Sequence, residues 1–413
     1  MTLSNLNSAV VVGGGLASAK AVETFRTEGY DGKLFLISQE PYLPYDRPPL
    51  TKGFFTDATE PNLEVFNSSF YENNDIELIL DTRCEKLNPA SSTVELSNSQ
   101  TLNYDVLILA TGARARELNL SNSKLGGIFY LRTIEDARAI KDASLTSGEV
   151  VIIGAGWIGC ELAASLSALG VKITVIDPLP YPLHRVLGES LGKHYLDLHT
   201  QHRVKYYLNT GVKEINGINK VESVTLSNGE TIKAPVVIVG IGAVPNVDFL
   251  MGNDLFNPSG IQADANLRTK YENVFAAGDV TNCFNTILNK HIRLEHWAGA
   301  LSQGPIAAKN ALGRMTNNDT VPFFYSDQYG LSIEFRGQND DYDDVVIRGD
   351  IENNEFIYFW LKDSQIVGVL NANIWDYGDL FDQLIRIPIL TDPLKLADSD
   401  FDLNELGKDH QLP

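Results

Sequence analysis

One arrangement of apolar and polar positions occurs twice in the first 320 residues. At AVVVGGGLASAKAVETFR (9–26) a β-branched apolar run meets glycines and gives way to apolar residues at helical spacing. VVIIGAGWIGCELAASLSALG (150–170) repeats that order. A second apolar run follows each, LFLIS (34–38) and ITVID (173–177), so the pattern predicts two β-α-β units. Each unit also has a late apolar run that ends in glycine, VLILATG (106–112) and VVIVGIG (236–242), and a third such run is NVFAAGD (273–279). Unbroken apolar strands alternating with helices predict parallel sheets covered on both faces, an α/β fold.

The rhythm changes near residue 320. VVIRGD (345–350), NEFIYFWL (354–361) and QIVGVLNA (365–372) are short apolar runs between polar turns, which predicts an antiparallel sheet. Leu380, Leu384, Ile385 and Ile387 then suggest one short amphipathic helix, making this segment α+β. Charge marks the same boundary. From residue 321 onward 19 acidic residues face 6 basic ones, a net of −13 out of −20 for all 413 residues. Such an acidic chain is a poor match for nucleic acid, whose phosphates call for a basic stripe. No apolar run approaches the ~18 residues of a membrane span. The stretch MTLSNLNSAVVVGGG has no basic region ahead of its apolar run and is read as a first strand rather than a signal peptide. Cys84, Cys160 and Cys283 are too scattered for a disulfide or zinc framework, so a reduced, cytoplasmic protein is expected.

The glycine loops carry the chemistry. Gly13-x-Gly15-x-x-Ser18 opens the first helix, and Gly154-x-Gly156-x-x-Gly159 opens the second. Such a loop gives a tight turn, close backbone approach to a pyrophosphate, and a helix N-terminus that favours negative charge. Two loops of this kind predict two Rossmann-like dinucleotide-binding domains and two nucleotides. Asp177 ends the strand after the second loop, where a carboxylate accepts from a ribose 2′-hydroxyl and repels a 2′-phosphate; this favours NADH, with Arg185 as the opposing feature. Glu40, past the first unit's second strand, is the matching ribose candidate. His194, His199 and His202 do not share one helical face, and Asp340, Asp341, Asp343 and Asp344 lack the spacing of a calcium loop, so no metal site is expected.

Seven further strings occur in order: EPYLPYDRPPLTK (40–52), ATGAR (110–114), LRTIEDA (131–137), VGIGAVPN (239–246), FAAGDV (275–280), EHWAGALSQG (295–304) and VPFFYSDQYG (321–330). With the glycine loops they closely resemble the ferredoxin reductases of bacterial oxygenase systems, the putidaredoxin-reductase type, which is also similar to apoptosis-inducing factor. The resemblance runs along essentially the whole chain. It implies a two-dinucleotide flavoprotein fold with FAD bound by residues 1–114 and 243–320, NADH by 115–242, and a C-terminal domain over 321–413. Carried onto this sequence, the FAD contacts are Gly13, Gly15, Ala17, Glu40, Arg47, Lys52, Cys84 (through its backbone), Ala110, Thr111, Gly112, Arg132, Asp279, Trp297 and Tyr325. Those for NADH are Gly154, Gly156, Ile158, Gly159, Asp177, Arg185 and Gly242. Tyr325 stands where the family often has tryptophan.

The resemblance also pairs Lys52 with Glu161 under the flavin. An ammonium there stabilises a negatively charged reduced ring, and the carboxylate holds it in place. Residues 40–52 contain no cysteine, so no thiol is placed to take electrons, which must leave the flavin directly. The implied partner is a small [2Fe-2S] ferredoxin that serves an oxygenase, the reductase being a monomer or homodimer. An NADH oxidase and a redox-sensing interaction protein of the apoptosis-inducing-factor kind remain alternatives. Lys290, Arg293, Lys309 and Arg314 are expected to form a basic docking patch around the EHW segment.

Overall fold

The computed structural model describes residues 6–408; Met1–Asn5, the start of the stretch read above as a first strand, lie outside the described residues. The chain divides into two compact units. Met1–Arg47, Asn62–Arg114 and Val244–Phe324 form the first; Pro48–Pro61, Ala115–Ala243 and Tyr325–Pro413 form the second.

In the first unit, β-branched residues set the strand Ser8–Val12, whose last four residues are buried. It pairs in parallel with Lys33–Ile37 on one side (Val10 opposite Phe35) and with Val106–Leu109 on the other (Val10 opposite Leu107). Val274–Ala276 and Ile76–Ile79 complete a five-stranded sheet at its two edges. The chain therefore reverses its direction of travel across the sheet at the first strand. Such a switch point leaves a crevice beyond the strand's carboxyl end, which is where Gly13 lies.

Glycine is required there by space as well as by conformation. Gly13 has φ +142°, and a Cβ on it would sit 2.0 Å from the Ala110 carbonyl oxygen. Ser18, where the second loop has its third glycine, still fits, buried beside the turn. The helix Leu16–Thr27 then packs closely on Trp297–Ala311, where a Cβ on Gly304 would lie 2.3 Å from the Ala17 carbonyl oxygen.

The second unit repeats the plan. Glu149–Ile153 is flanked in parallel by Lys172–Ile176 and Val237–Val239, with Lys205–Tyr207 and Ile128–Tyr130 at the edges. Its loop glycine, Gly154, has φ +104°, and a Cβ would approach the Gly240 carbonyl oxygen to 2.3 Å. The third glycine is also needed here, because a Cβ on Gly159 would sit 2.0 Å from the Gly154 carbonyl oxygen.

From residue 323 onward five antiparallel strands follow the order Phe323–Gln328, Leu331–Gly337, Gln365–Ala372, Glu355–Lys362, Asp344–Asp350. The helix Gly378–Arg386 buries Phe381, Leu384 and Ile385. Ile387, expected to join that stripe, falls past the helix end and is 44% exposed, while Phe381 takes its place against Phe359. Among the described residues no helix is long and apolar enough to cross a membrane.

The helix crossing at Gly304 is testable. Gly304→Ala puts a methyl group against backbone that cannot rotate away, so it should lower stability by about 1–3 kcal/mol, read as a lower urea midpoint. An unchanged midpoint would show that the two helices are not in such close contact.

Candidate functional site

Both glycine loops lead into helices whose first turn has no side-chain cap, with Gly15 and Gly156 at the N-cap positions. A Cβ on either glycine would meet nothing within 4 Å, so open space faces each turn. The helix Ile134–Ser147 shows the contrast: Thr133 and Asp136 close it with reciprocal capping bonds. Uncapped N–H groups facing open space suit a pyrophosphate, and the residues present fit a dinucleotide at each loop.

Within the first unit, Arg47 Nη2 donates to Glu40 Oε1 at 2.7 Å, and the Tyr45 hydroxyl donates to Glu40 Oε2. Burial opposes the Arg47 charge, but Tyr45, Glu40 and Asp279 around it outweigh that and raise its pKa. Glu40, expected to face a ribose, thus accepts from Arg47 on one oxygen and from Tyr45 on the other, each oxygen keeping a further lone pair. Trp297 Nε1 donates to Asp46 Oδ1 at 2.8 Å, and burial raises the Asp46 pKa against that bond. Thr111 Oγ1 donates to the Asn246 carbonyl, and Asn246 answers with bonds to the Gly112 and Thr111 carbonyls, so the ATG turn grips the returning chain. Asp279 lies in the short turn Gly278–Val280, and Arg293 donates to its carbonyl. Cys84 begins the strand Cys84–Asn88.

Within the second unit, Lys52 Nζ is 3.2 Å from Glu161 Oε1 and 4.7 Å from the centroid of the Tyr325 ring. Glu161, only 8% exposed, also accepts from Thr51 Oγ1 and, at 2.6 Å, from Ser326 Oγ. Three sequence-selected residues are thereby brought together, and Thr51 and Ser326 are two that sequence reasoning missed. Asp177 accepts from Ala155 N at 2.7 Å and from Leu179 N at 2.8 Å, which bridges the glycine loop to the next turn. Ile158 and Arg185 are exposed, as is Gly242 with φ +108°. The Arg132 backbone N–H donates to Asp136, beside the capped helix. The three histidines diverge: His194 bonds Asn354, His199 bonds Gln328, and His202 bonds the Leu198 carbonyl.

Burial pushes the thiols of Cys84 and Cys283 up to about 12 and that of Cys160 higher still. None is therefore a nucleophile near neutral pH.

Residues 7–304 match the model of the pyridine nucleotide-disulphide oxidoreductases, and 323–407 match that of the reductase C-terminal domain. The chain belongs to the pyridine nucleotide-disulphide oxidoreductase family. It is 34% identical over 391 residues to the ferredoxin–NAD(+) reductase component of the anthranilate 1,2-dioxygenase system of Burkholderia cepacia, covering 94% of this chain and 96% of that one. Rhodocoxin reductase of Rhodococcus erythropolis is 32% identical over 398 residues, 96% of this chain and 93% of its own. Among solved structures, the covalent putidaredoxin reductase–putidaredoxin complex matches with a TM-score of 0.94 at 28% identity, covering 98% and 99% of the two chains. The family's name refers to disulphides, but this member's thiols, two buried and Cys84 half-buried, all have raised pKa values and are unsuited to that chemistry.

The expected basic patch is corrected by the structure. Helix Trp297–Ala311 is about 22 Å long, so Lys309 and Arg314 lie at the end remote from the EHW segment. Both pair with Glu28, at 3.8 and 3.4 Å, and Arg293 pairs with Glu295. Three of the four charges thus meet a carboxylate, Lys309 and Arg314 one that is distant in sequence and Arg293 one two residues on.

One histidine gives a pH prediction. Burial lowers the His199 pKa from 6.5 to about 4. The folded state then refuses a proton that the unfolded chain accepts, so this stability is complete above pH ~6.5 and lost as pH falls toward 4. The shift corresponds to about 3 kcal/mol. Urea midpoints from pH 7 to 4.5 should fall more steeply in the parent than in His199→Leu; parallel slopes would contradict a buried neutral His199.

Proposed function

We propose that this protein is an NADH-dependent ferredoxin reductase. It takes electrons from NADH through FAD and passes them to a small [2Fe-2S] ferredoxin that serves an oxygenase, in the cytoplasm. The observation that carries the reading is Lys52, held by the buried Glu161 beside the Tyr325 ring. Relatives named as ferredoxin–NAD(+) reductase components, and a structural neighbour joined to its putidaredoxin, support the same reading.

FAD would be held by residues 1–114 and 243–320, NADH by 115–242, with 321–413 as a third domain. Bound FAD supplies the exchange between two-electron hydride transfer and single-electron release. The chain supplies position and charge. The N–H groups past Gly13, Gly15 and Ala17 receive one pyrophosphate, with Ala110, Thr111 and Gly112 forming the adjoining turn. Glu40 and Tyr45 hold Arg47, which would supply positive charge to the flavin or its pyrophosphate, and Arg132 is the other candidate for that role. Asp279 would accept from ribityl hydroxyls, the Cys84 backbone would meet adenine, and Trp297, anchored by Asp46, and Tyr325 are the aromatic candidates for flavin contact. Lys52 provides positive charge where negative charge grows, and Glu161 keeps the ammonium there. Gly154, Gly156, Ile158 and Gly159 form the NADH loop, followed by Asp177, with Arg185 and Gly242 at its margin. With every thiol pKa raised, no disulfide relay is expected, and the chain offers bound flavin no thiol acceptor.

Stopped-flow bleaching of the yellow holoprotein by NADH under argon tests this. Lys52→Met should retain FAD yet bleach about 10- to 100-fold more slowly. A colourless protein after FAD is added would refute the reading, and an unchanged bleaching rate would make the ion pair purely architectural. Asp177→Ala should lower NADH kcat/KM about 10- to 150-fold, the loss of a charge-assisted hydrogen bond worth roughly 1.5–3 kcal/mol. The parent should favour NADH over NADPH; equal efficiencies would contradict the role given to Asp177.

A further inference from the structure

The Lys52–Glu161 pair ends a longer buried chain. Ser326 Oγ donates to Glu161 Oε1 at 2.6 Å, Gln328 Nε2 to Ser326 Oγ at 3.1 Å, and His199 Nε2 lies 2.7 Å from Gln328 Oε1. Ser326, Gln328 and His199 are all at most 2% exposed, and every member belongs to the second unit. Ser326 and Gln328 occupy alternate positions of the strand Phe323–Gln328 and so share its buried face.

The direction of the chain follows from its acidic end. An ionised carboxylate only accepts, so the Ser326 hydroxyl has to donate to Glu161. That leaves the serine's lone pairs for the Gln328 amide nitrogen, which turns the Gln328 oxygen toward His199. His199 must then carry its proton on Nε2 and leave Nδ1 bare. The geometry agrees: among the described residues Nδ1 has no hydrogen-bond partner, and burial favours the neutral ring that has one bare nitrogen. The amide of Gln328 interrupts any hop from hydroxyl to imidazole, so the chain is a fixed run of dipoles and not a proton path.

We infer that His199 and Gln328 are positioning residues for the Lys52–Glu161 pair, locking the Ser326 hydroxyl as a donor on the carboxylate oxygen that faces the ammonium. This deepens the function proposed above and rests on its placing of Lys52 beside a flavin. Consecutive residues of one strand then serve the two halves of the ion pair: Tyr325 lies against the lysine and Ser326 against the glutamate. Freed from Gln328, the serine hydroxyl can rotate, and the carboxylate loses a fixed donor.

The test uses the holoprotein. Gln328→Leu and His199→Leu should slow flavin bleaching by NADH about 5- to 10-fold and make the flavin's midpoint potential more negative, with the NADH dissociation constant unchanged. His199→Gln, which keeps an N–H near the position of Nε2, should stay within about twofold of the parent. In a Lys52→Met background, Gln328→Leu should add nothing, because its effect passes through the pair. An equal loss in that background, or an unchanged rate and potential in Gln328→Leu, would overturn the inference. Should Gln328→Leu fail to fold, the pair His199→Leu and His199→Gln decides by the same criteria. Nitrogen-15 NMR of the histidines needs no flavin and separates this inference from the proposed function. An Nε2–H tautomer at His199 that is lost in Gln328→Leu upholds the chain, and Nδ1–H overturns it, whether or not the protein binds FAD.

Discussion

A charge taken out of water must be met by other charges and dipoles, and the Glu161 carboxylate imposes that demand on the second unit. Its partners come from two stretches far from its own helix Trp157–Ala168: Thr51 with Lys52, and Ser326, whose neighbour Tyr325 lies against the lysine. Each stretch has a place because the buried charge has to be satisfied. Removing one partner of such a buried pair typically costs about 3–5 kcal/mol, since the other charge is left uncompensated. A carboxylate kept at that cost is well suited to hold an ammonium still while the charge beside it changes.

The backbone imposes a second constraint, and it operates identically in both units. A parallel strand ends at a switch point, and the next turn must pass close under a carbonyl while leaving helix N–H groups open. Gly13 and Gly154 satisfy the close approach; Gly15 and Gly156 leave the space. Side-chain caps would stabilise these helices, and their absence keeps the donors available for an anion. Ser18 shows how far the rule bends. The first loop accepts a small side chain where, in the second, Gly159 sits too near the Gly154 carbonyl for any Cβ.

Much of this was legible in the sequence, because strand runs, glycine turns and helical spacing are local signals. The two sheets, the antiparallel strands near the C-terminus and the loop glycines could all be read that way. The pairing of Lys52 with Glu161 came from resemblance, since no periodicity links residues 109 positions apart. What escaped was the identity of distant partners. Glu40 gave no sign that it would accept from Arg47 and Tyr45, and Trp297 gave no sign of bonding to Asp46, 251 residues away. The basic patch failed for the same reason: proximity in sequence placed Lys309 and Arg314 near Trp297, whereas a helix carries them to its far end. His199 appeared only as one of three histidines without a common face. Its importance depends on Gln328, 129 residues on, which no local pattern reveals.

Electrons are proposed to leave this protein singly, to a ferredoxin, without a thiol relay or oxygen as the main acceptor. The most direct test is an electron count under argon. A limiting amount of NADH is mixed with the holoprotein and excess oxidised [2Fe-2S] ferredoxin, and reduced clusters are counted by their absorbance. Two ferredoxins should be reduced for each NADH consumed, with an unchanged count after the cysteines are alkylated. NADH that remains unconsumed under argon, yet is oxidised with stoichiometric peroxide once air is admitted, would contradict that proposal.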